Sequence, residues 1–175
     1  MSPLKKSKKK NLMKRMPIKD EELIRLIRSG LTTIDGLWFL EVEDKFGFND
    51  AFDIDLKVWK RYGPIIINRI KKVLSITDIG LESFLQIFKI LCAIDGTQFK
   101  IKEKSFKEAR LQIYYCPWWE NLKRSNRDKL IRCDIIDKKV FPEWAKSFNP
   151  KIEFNLVKSL PNGNDICELV LLLKD

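Results

Sequence analysis

The sequence predicts an α+β domain, with N-terminal helices packed on a mainly antiparallel sheet of about four strands built from two hairpins. Three observations carry this. Apolar residues recur at steps of three and four through the first half, the period of a helix face. Beyond residue 97 the step falls to two, the period of a half-buried strand. Near the end, Pro161-Asn162-Gly163-Asn164 separates two apolar runs, and Asn-Gly tolerates the positive φ that a tight hairpin needs.

The elements follow in order. Asp20 is a plausible N-cap, with Glu21 and Glu22 in the first turn, where carboxylates meet the positive end of the helix dipole. Leu23, Ile27, Leu31, Ile34, Trp38, Val42 and Phe46 then form one apolar face, weakened by Gly30 and Gly36 and ended at Gly47. A second helix follows Asn49, with Phe52, Leu56, Trp59, Ile66, Ile67 and Ile70 turned inward; Gly63-Pro64 predicts a kink or a fresh helix start. A third runs from about Leu81 to Leu91. Phe99 and Ile101, then Ala109, Leu111, Ile113 and Tyr115, alternate with polar residues and predict two strands joined around Ser105 to Lys107. Cys116-Pro117-Trp118-Trp119 ends the second strand and begins a short helix. Residues 127–148 read helical with an interruption at Phe141-Pro142, and Ile152–Val157 and Ile166–Leu173 form the closing hairpin.

Composition limits the function. A chain of 175 residues, 45% apolar and with 19 aromatics (Phe 11, Trp 5, Tyr 3), buries a core without disulfide staples. The net charge of +10 is concentrated in residues 1–19, which carry eight lysines and arginines and no acid, so residues 20–175 hold a net of only two. Residues 1–19 are therefore expected to be a basic, disordered tail, and residues 20–175 a single domain. A solvated terminus is favoured for the tail over a nucleic-acid or membrane anchor. No stretch has the length of a membrane span or the form of a secretory signal, so the chain is expected in the cytoplasm with Cys92, Cys116, Cys133 and Cys167 as reduced thiols.

The sequence contains no histidine. Ser-His-Asp triads, Cys-His dyads and imidazole metal sites are thereby excluded, and any chemistry falls to carboxylates, thiols, Lys or Tyr, or to a metal without imidazole ligands. Three groups of residues are candidates. In the first helix, Asp35, Trp38 and Glu41 are spaced to share a face. A Glu41 carboxylate held against the Trp38 indole would lose solvation and have its pKa raised, as a general acid or base requires; a surface acid is the alternative. In the second group, Cys116, Cys133 and Cys167 could converge to hold zinc or iron as thiolates. Cys116 on its turn is alternatively a nucleophile, or all three are small apolar core residues, as Cys92 is. Thirdly, Tyr115, Trp118, Trp119 and Trp144 could line an apolar ligand pocket or fill the core. Glycine-rich phosphate loops are absent, and the hairpins lack the basic and aromatic interleaving of an RNA-binding sheet.

Asp35-Gly36-Leu37-Trp38-Phe39 with Glu41, Lys45-Phe46-Gly47-Phe48, Ala51, Asp55 and Trp59 resembles the front half of a family of small, uncharacterised prokaryotic proteins. The back half agrees through Cys116-Pro117-Trp118-Trp119, Cys133, Phe141-Pro142-Glu143-Trp144-Ala145, Leu160-Pro161-Asn162-Gly163 and Cys167. That family is distantly similar to the L-2-amino-thiazoline-4-carboxylic acid hydrolase-like proteins and to the vinyl-reductase type of ligand-binding domain. The resemblance implies a small-molecule-binding domain, with a cysteine-held metal and, in the hydrolase version, attack of water on the C=N carbon of a thiazoline-like ring. Without histidine, a metal-bound water or Glu41 would have to activate that water. It further implies a homodimer. A non-catalytic ligand sensor or adaptor is the second reading, and a nucleic-acid-associated protein working through its lysine tail the third.

Overall fold

The computed structural model describes residues 17–175; the expected disordered tail lies mostly outside the described residues. The described chain divides into two compact units, one ending at Leu37 and the other comprising Trp38–Asp175. A single helix, α1 (Asp20–Phe46), runs through both. Gly30 and Gly36 do not break it, because glycine weakens a long helix without obstructing it. It stops where Gly47 takes φ 88°, a left-handed value that costs glycine nothing.

The second unit carries the predicted α+β architecture. Helices α2 (Phe48–Leu74) and α3 (Leu81–Asp95) precede a hairpin of β1 (Gln98–Lys104) and β2 (Glu108–Tyr115). Helices α4 (Pro117–Arg124) and α5 (Cys133–Phe148) follow, then β3 (Ile152–Lys158), a short 3-10 turn (Leu160–Asn162) and β4 (Cys167–Leu173). All strand pairs are antiparallel, in the order β1-β2-β4-β3, so the hairpins join along β2 and β4. Register puts Ala109 opposite Leu171, Leu111 opposite Leu169 and Ile113 opposite Cys167. Those side chains share one sheet face, and α3 and α5 pack on it through Leu85, Phe88, Val140 and Ala145. On the other face Glu168 accepts from Arg110 Nη1 at 2.9 Å and Gln112 Nε2 at 2.7 Å. These cross-strand bonds hold its pKa below the usual carboxylate range, Gln112 contributing most.

The fresh helix start allowed at Gly63-Pro64 and the interruption expected at Phe141-Pro142 are corrected. Helix α2 is continuous through Gly63-Pro64, and α5 is continuous through Pro142, although neither proline can donate to the carbonyl one turn back. At Gly63 the reason is a close approach: a Cβ there would stand 2.1 Å from the Trp144 ring. Trp144 Nε1 also donates to the Trp59 carbonyl at 2.9 Å, so a side chain of α5 bonds α2 beside the proline. A small second core joins Phe39, Ala51 and Ile131, and beside it Arg127 Nη2 reaches Glu43 Oε2 at 2.5 Å.

Candidate functional site

The site is built where α4 and α5 begin and β4 starts. Cys116 ends β2 in extended conformation and Pro117 opens α4, because a proline at the first helical position loses no bond the helix would have made. This turn sends two neighbouring side chains into two different groups. Trp118 joins an aromatic group and Cys116 joins a group of thiols and carboxyls.

The aromatic group centres on Trp59 of α2. Its ring lies 5.2 Å from Trp118 at 86°, 5.5 Å from Tyr62 at 84° and 6.4 Å from Trp144. Tyr62 and Trp144 are 6.0 Å apart, and Phe141 meets Trp144 at 5.1 Å. Edge-to-face packing of this kind suits the ring quadrupoles and adds to the gain from burial. Tyr62 has its hydroxyl pKa raised by burial and then by Asp95.

The thiol group is gathered by the closing hairpin. Asn162, from the turn predicted by Pro-Asn-Gly-Asn, donates to Asp134 at 3.4 Å and to Ser159 Oγ at 2.8 Å. Asp134, buried at the start of α5, takes Arg132 Nε and Nη2 at 2.9 and 3.1 Å. The hairpin is thus tied to the N-terminus of α5, and Cys167 comes beside Cys133. The Leu160 N–H donates to Cys167 Sγ at 3.4 Å. Asp137 lies four residues after Cys133 and shares its helix face.

The thiols and Asp137 influence one another electrostatically. Burial pushes the Cys116 thiol up to about 12 and Cys167 to about 11, and raises Cys133 and Cys92 further. Asp137 raises all three of Cys116, Cys133 and Cys167, and Cys133 also feels Cys116 and Cys167. Cys92, on α3, feels Asp95 and Cys116. The backbone N–H groups of Trp119 and Trp118 oppose the shift at Cys116. Asp137 itself is pushed up to about 7, by burial first and then by the charge of Asp134. At neutral pH these thiols are protonated, and Asp137 is divided between its two forms.

The predicted residues therefore separate. Cys116, Cys133 and Cys167 are brought into one neighbourhood, and Trp118 and Trp144 meet through Trp59. Trp119 is half-buried in α4, and Tyr115 is 41% exposed. Glu41 is exposed and Trp38 is 40% exposed, so the desolvated carboxylate predicted against that indole is not formed. The inward acid of this part of α1 is Glu43, two residues on. Asp35, half-buried, belongs to the first unit. Asp137 escaped sequence reasoning, although its i+4 spacing from Cys133 was a usable signal. Among the described residues no three Cys, Asp or Glu side chains form a group that could hold a metal ion. Among the described residues, open depressions on the surface include two of similar size. One, of about 430 Å³, runs along Lys158 and Gly163 to Ile166, the residue before Cys167. The other, of about 470 Å³, lies among Gly80, Phe106, Asn149 and Lys174.

A four-stranded antiparallel sheet covered by helices, with a thiol and indole group at the helix starts, defines an α+β domain. The chain belongs to a family of unknown function, DUF6125, whose model matches residues 15–168. No curated protein matches it. Among solved structures it is similar to the phenol-responsive sensory domain of the transcription activator PoxR with phenol, at 13% identity and a TM-score of 0.58, covering 99% of this chain and 92% of that one. It is also similar to a trafficking protein particle complex subunit 3 from Naegleria fowleri covalently bound to palmitic acid. That match has 14% identity and a TM-score of 0.57, over 86% of this chain and 97% of that one. Both likenesses are of fold. The family membership fits the first part of the resemblance drawn from sequence, and no comparison returns a hydrolase. Among the described residues no helix is long and apolar enough to cross a membrane.

Proposed function

We propose that this chain is a small-molecule-binding sensory domain whose ligand is apolar, with the aromatic group of Trp59, Tyr62, Trp118 and Trp144 as its receiving surface. The observation that carries this is the Cys116-Pro117-Trp118 turn. It places an indole-rich wall directly beside protonated, uncharged thiols and one carboxyl that titrates near neutrality. These side chains are apolar with a single adjustable polar group, the usual make-up of a ligand site, and because they line neither surface depression a ligand has to part the packed rings to enter. Two proteins of similar fold carry phenol and palmitic acid by their own descriptions, which supports the same ligand class here. Phenol and palmitate are the probes. Either should raise the melting temperature and quench tryptophan fluorescence, with about 2.7 kcal/mol of added stability at a hundredfold excess over Kd. Trp118→Ala should abolish both effects. Neither probe altering melting or fluorescence would remove the proposal.

A hydrolytic reading retains one specific support. Asp137, in place of Glu41, has the pKa of a working general base and stands beside Cys116. It would accept the proton of a water attacking the C=N carbon of a thiazoline-like ring. Incubation with 2-amino-thiazoline-4-carboxylate tests it, and an unchanged substrate concentration at pH 7 to 8 dismisses it. For zinc or iron, the donor types of Cys116, Cys133, Cys167 and Asp137 are suitable, but as placed they do not make a metal-holding group. No step is therefore routed through a metal.

A further inference from the structure

We infer that the outer face of α2 enters the major groove of duplex DNA, with Lys60, Arg61 and Lys72 meeting phosphates and Asn68 reaching a base edge. The helix belongs wholly to the second unit. Residues 56–77 hold Lys57, Lys60, Arg61, Arg69, Lys71 and Lys72 and no acid. Residues 20–175 carry a net charge of two, so those outside this segment sum to −4. A separation of this kind concentrates positive potential on one helix and draws polyanions to it. Some of the six cations are engaged: Lys57 pairs with Asp53, Lys71 lies over the Phe148 ring at 5.1 Å, and Arg69 acts on the Tyr62 hydroxyl. Lys60, Arg61 and Lys72 are exposed, and among the described residues no ion pair involves them.

The choice of occupant follows from the residues that share this face. Leu56, Gly63, Ile67 and Ile70 are buried on one side of α2. Arg61, Ile65, Asn68 and Lys72 recur on the other at steps of four, three and four. From Lys60 to Lys72 the face runs for ~18 Å, and a helix of about 10–12 Å diameter fits a major groove about 12 Å wide. Asparagine pairs with adenine edges, arginine and lysine hold phosphates or guanine, and small aliphatic groups meet thymine methyls. Val58 and Ile65, 46% and 50% exposed, supply those aliphatic groups. A lipid surface fits less well. An interfacial helix buries its apolar face in the bilayer, whereas α2 has used that face on the core, and none of its exposed residues from Lys57 to Leu74 is aromatic. Duplex RNA is also disfavoured, since its major groove is too deep and narrow for a helix. Nothing in this inference depends on the ligand reading.

Fluorescence anisotropy of the full chain with a labelled, mixed-sequence DNA duplex tests it, titrated from about 50 to about 200 mM salt. Each phosphate contact adds about one to the slope of log affinity against log salt. The triple variant Lys60→Gln, Arg61→Gln and Lys72→Gln should therefore lower the slope by about three. The triple variant Lys102→Gln, Lys129→Gln and Lys139→Gln removes the same charge from exposed sites off this face, and should keep the wild-type slope. Duplex RNA of the same sequence should bind more weakly than the DNA. Asn68→Ala should relax the sequences recovered from a random DNA pool while leaving the slope unchanged. An unchanged slope in the first triple variant overturns the inference and assigns any binding to residues 1–19. Equal affinity for RNA overturns it, as does an Asn68→Ala chain that selects the same sequences as the wild type. Binding to phosphatidylserine vesicles with none to DNA would make the face a lipid surface instead.

Discussion

The Asp137 carboxyl keeps its proton into the neutral range because its surroundings offer it little. Burial weakens its solvation, Asp134 repels its charge, and Cys116, Cys133 and Cys167 are themselves uncharged. Arg132 and Lys138 lie near, but both are placed on Asp134. The consequence for stability has a definite sign. The unfolded chain releases this proton near pH 4 and the folded chain near 7, so the folded state binds more protons between those values. Stability must therefore fall as pH rises from about 4 to 7, and the raised thiols make it fall again only above about pH 8, where unfolded cysteines ionise. Glu168 and Asp78 have pKa values shifted the other way, so their contributions are lost at acid pH and leave this window to Asp137. Melting temperature measured across pH 4.5 to 8 should decline in the wild type and stay flat in Asp137→Asn. A flat wild-type profile would show that the carboxyl is solvated. The i+4 spacing from Cys133 was a signal in the sequence, but such spacing is common on solvated helix faces, and only the packing of α5 leaves this carboxyl half-buried.

At the scale of elements, periodicity was sufficient for most of the fold. The strands, the hairpins and the helix starts at Asp20 and Leu81 lie where spacing, acids and turn residues put them. What spacing could not show is which glycine marks a turn and which a contact. Gly47, Gly96 and Gly163 take positive φ and end elements, whereas Gly63 is helical and exists to admit Trp144. Replacing a helix-interior glycine by alanine ordinarily stabilises by roughly 0.5–1 kcal/mol. At Gly63 the sign reverses. The added methyl would stand 2.1 Å from an indole that is also fixed by its bond to the Trp59 carbonyl, so the ring cannot simply move aside. Overpacking of this type costs about 1–3 kcal/mol, and loss of the indole bond adds to it. Urea unfolding of Gly63→Ala should show that loss. A stabilised variant would mean that α2 and α5 separate more readily than their packing implies.

At the scale of the whole molecule, the division near Trp38 says which part of α1 the sheet unit needs. Charge distribution read from sequence separates a basic start, residues 1–19, from a balanced remainder, and does not speak to a division within α1. The division after residue 37 falls just before the first buried side chain of α1, Phe39, which periodicity alone does not reveal because Leu31 and Phe39 look equally apolar. Phe39 is 7% exposed and packs at 6.0 Å on Phe48, with Arg127 over its ring at 5.7 Å, while Glu43 pairs with Arg127. Two truncations should therefore behave differently. A chain beginning at Trp38 keeps the Phe39 core and the Arg127 ion pair, and should unfold cooperatively close to the full-length midpoint. A chain beginning at Gly47 loses both. Removing a buried phenylalanine costs roughly 3–5 kcal/mol, and an unpaired, largely enclosed guanidinium adds to that. Arg127 Nε already lacks a partner, so water has to reach a group that the core was built to cover. Denaturant midpoints of the two chains decide the matter: equal midpoints would mean that the second half of α1 is as dispensable to the sheet unit as the first.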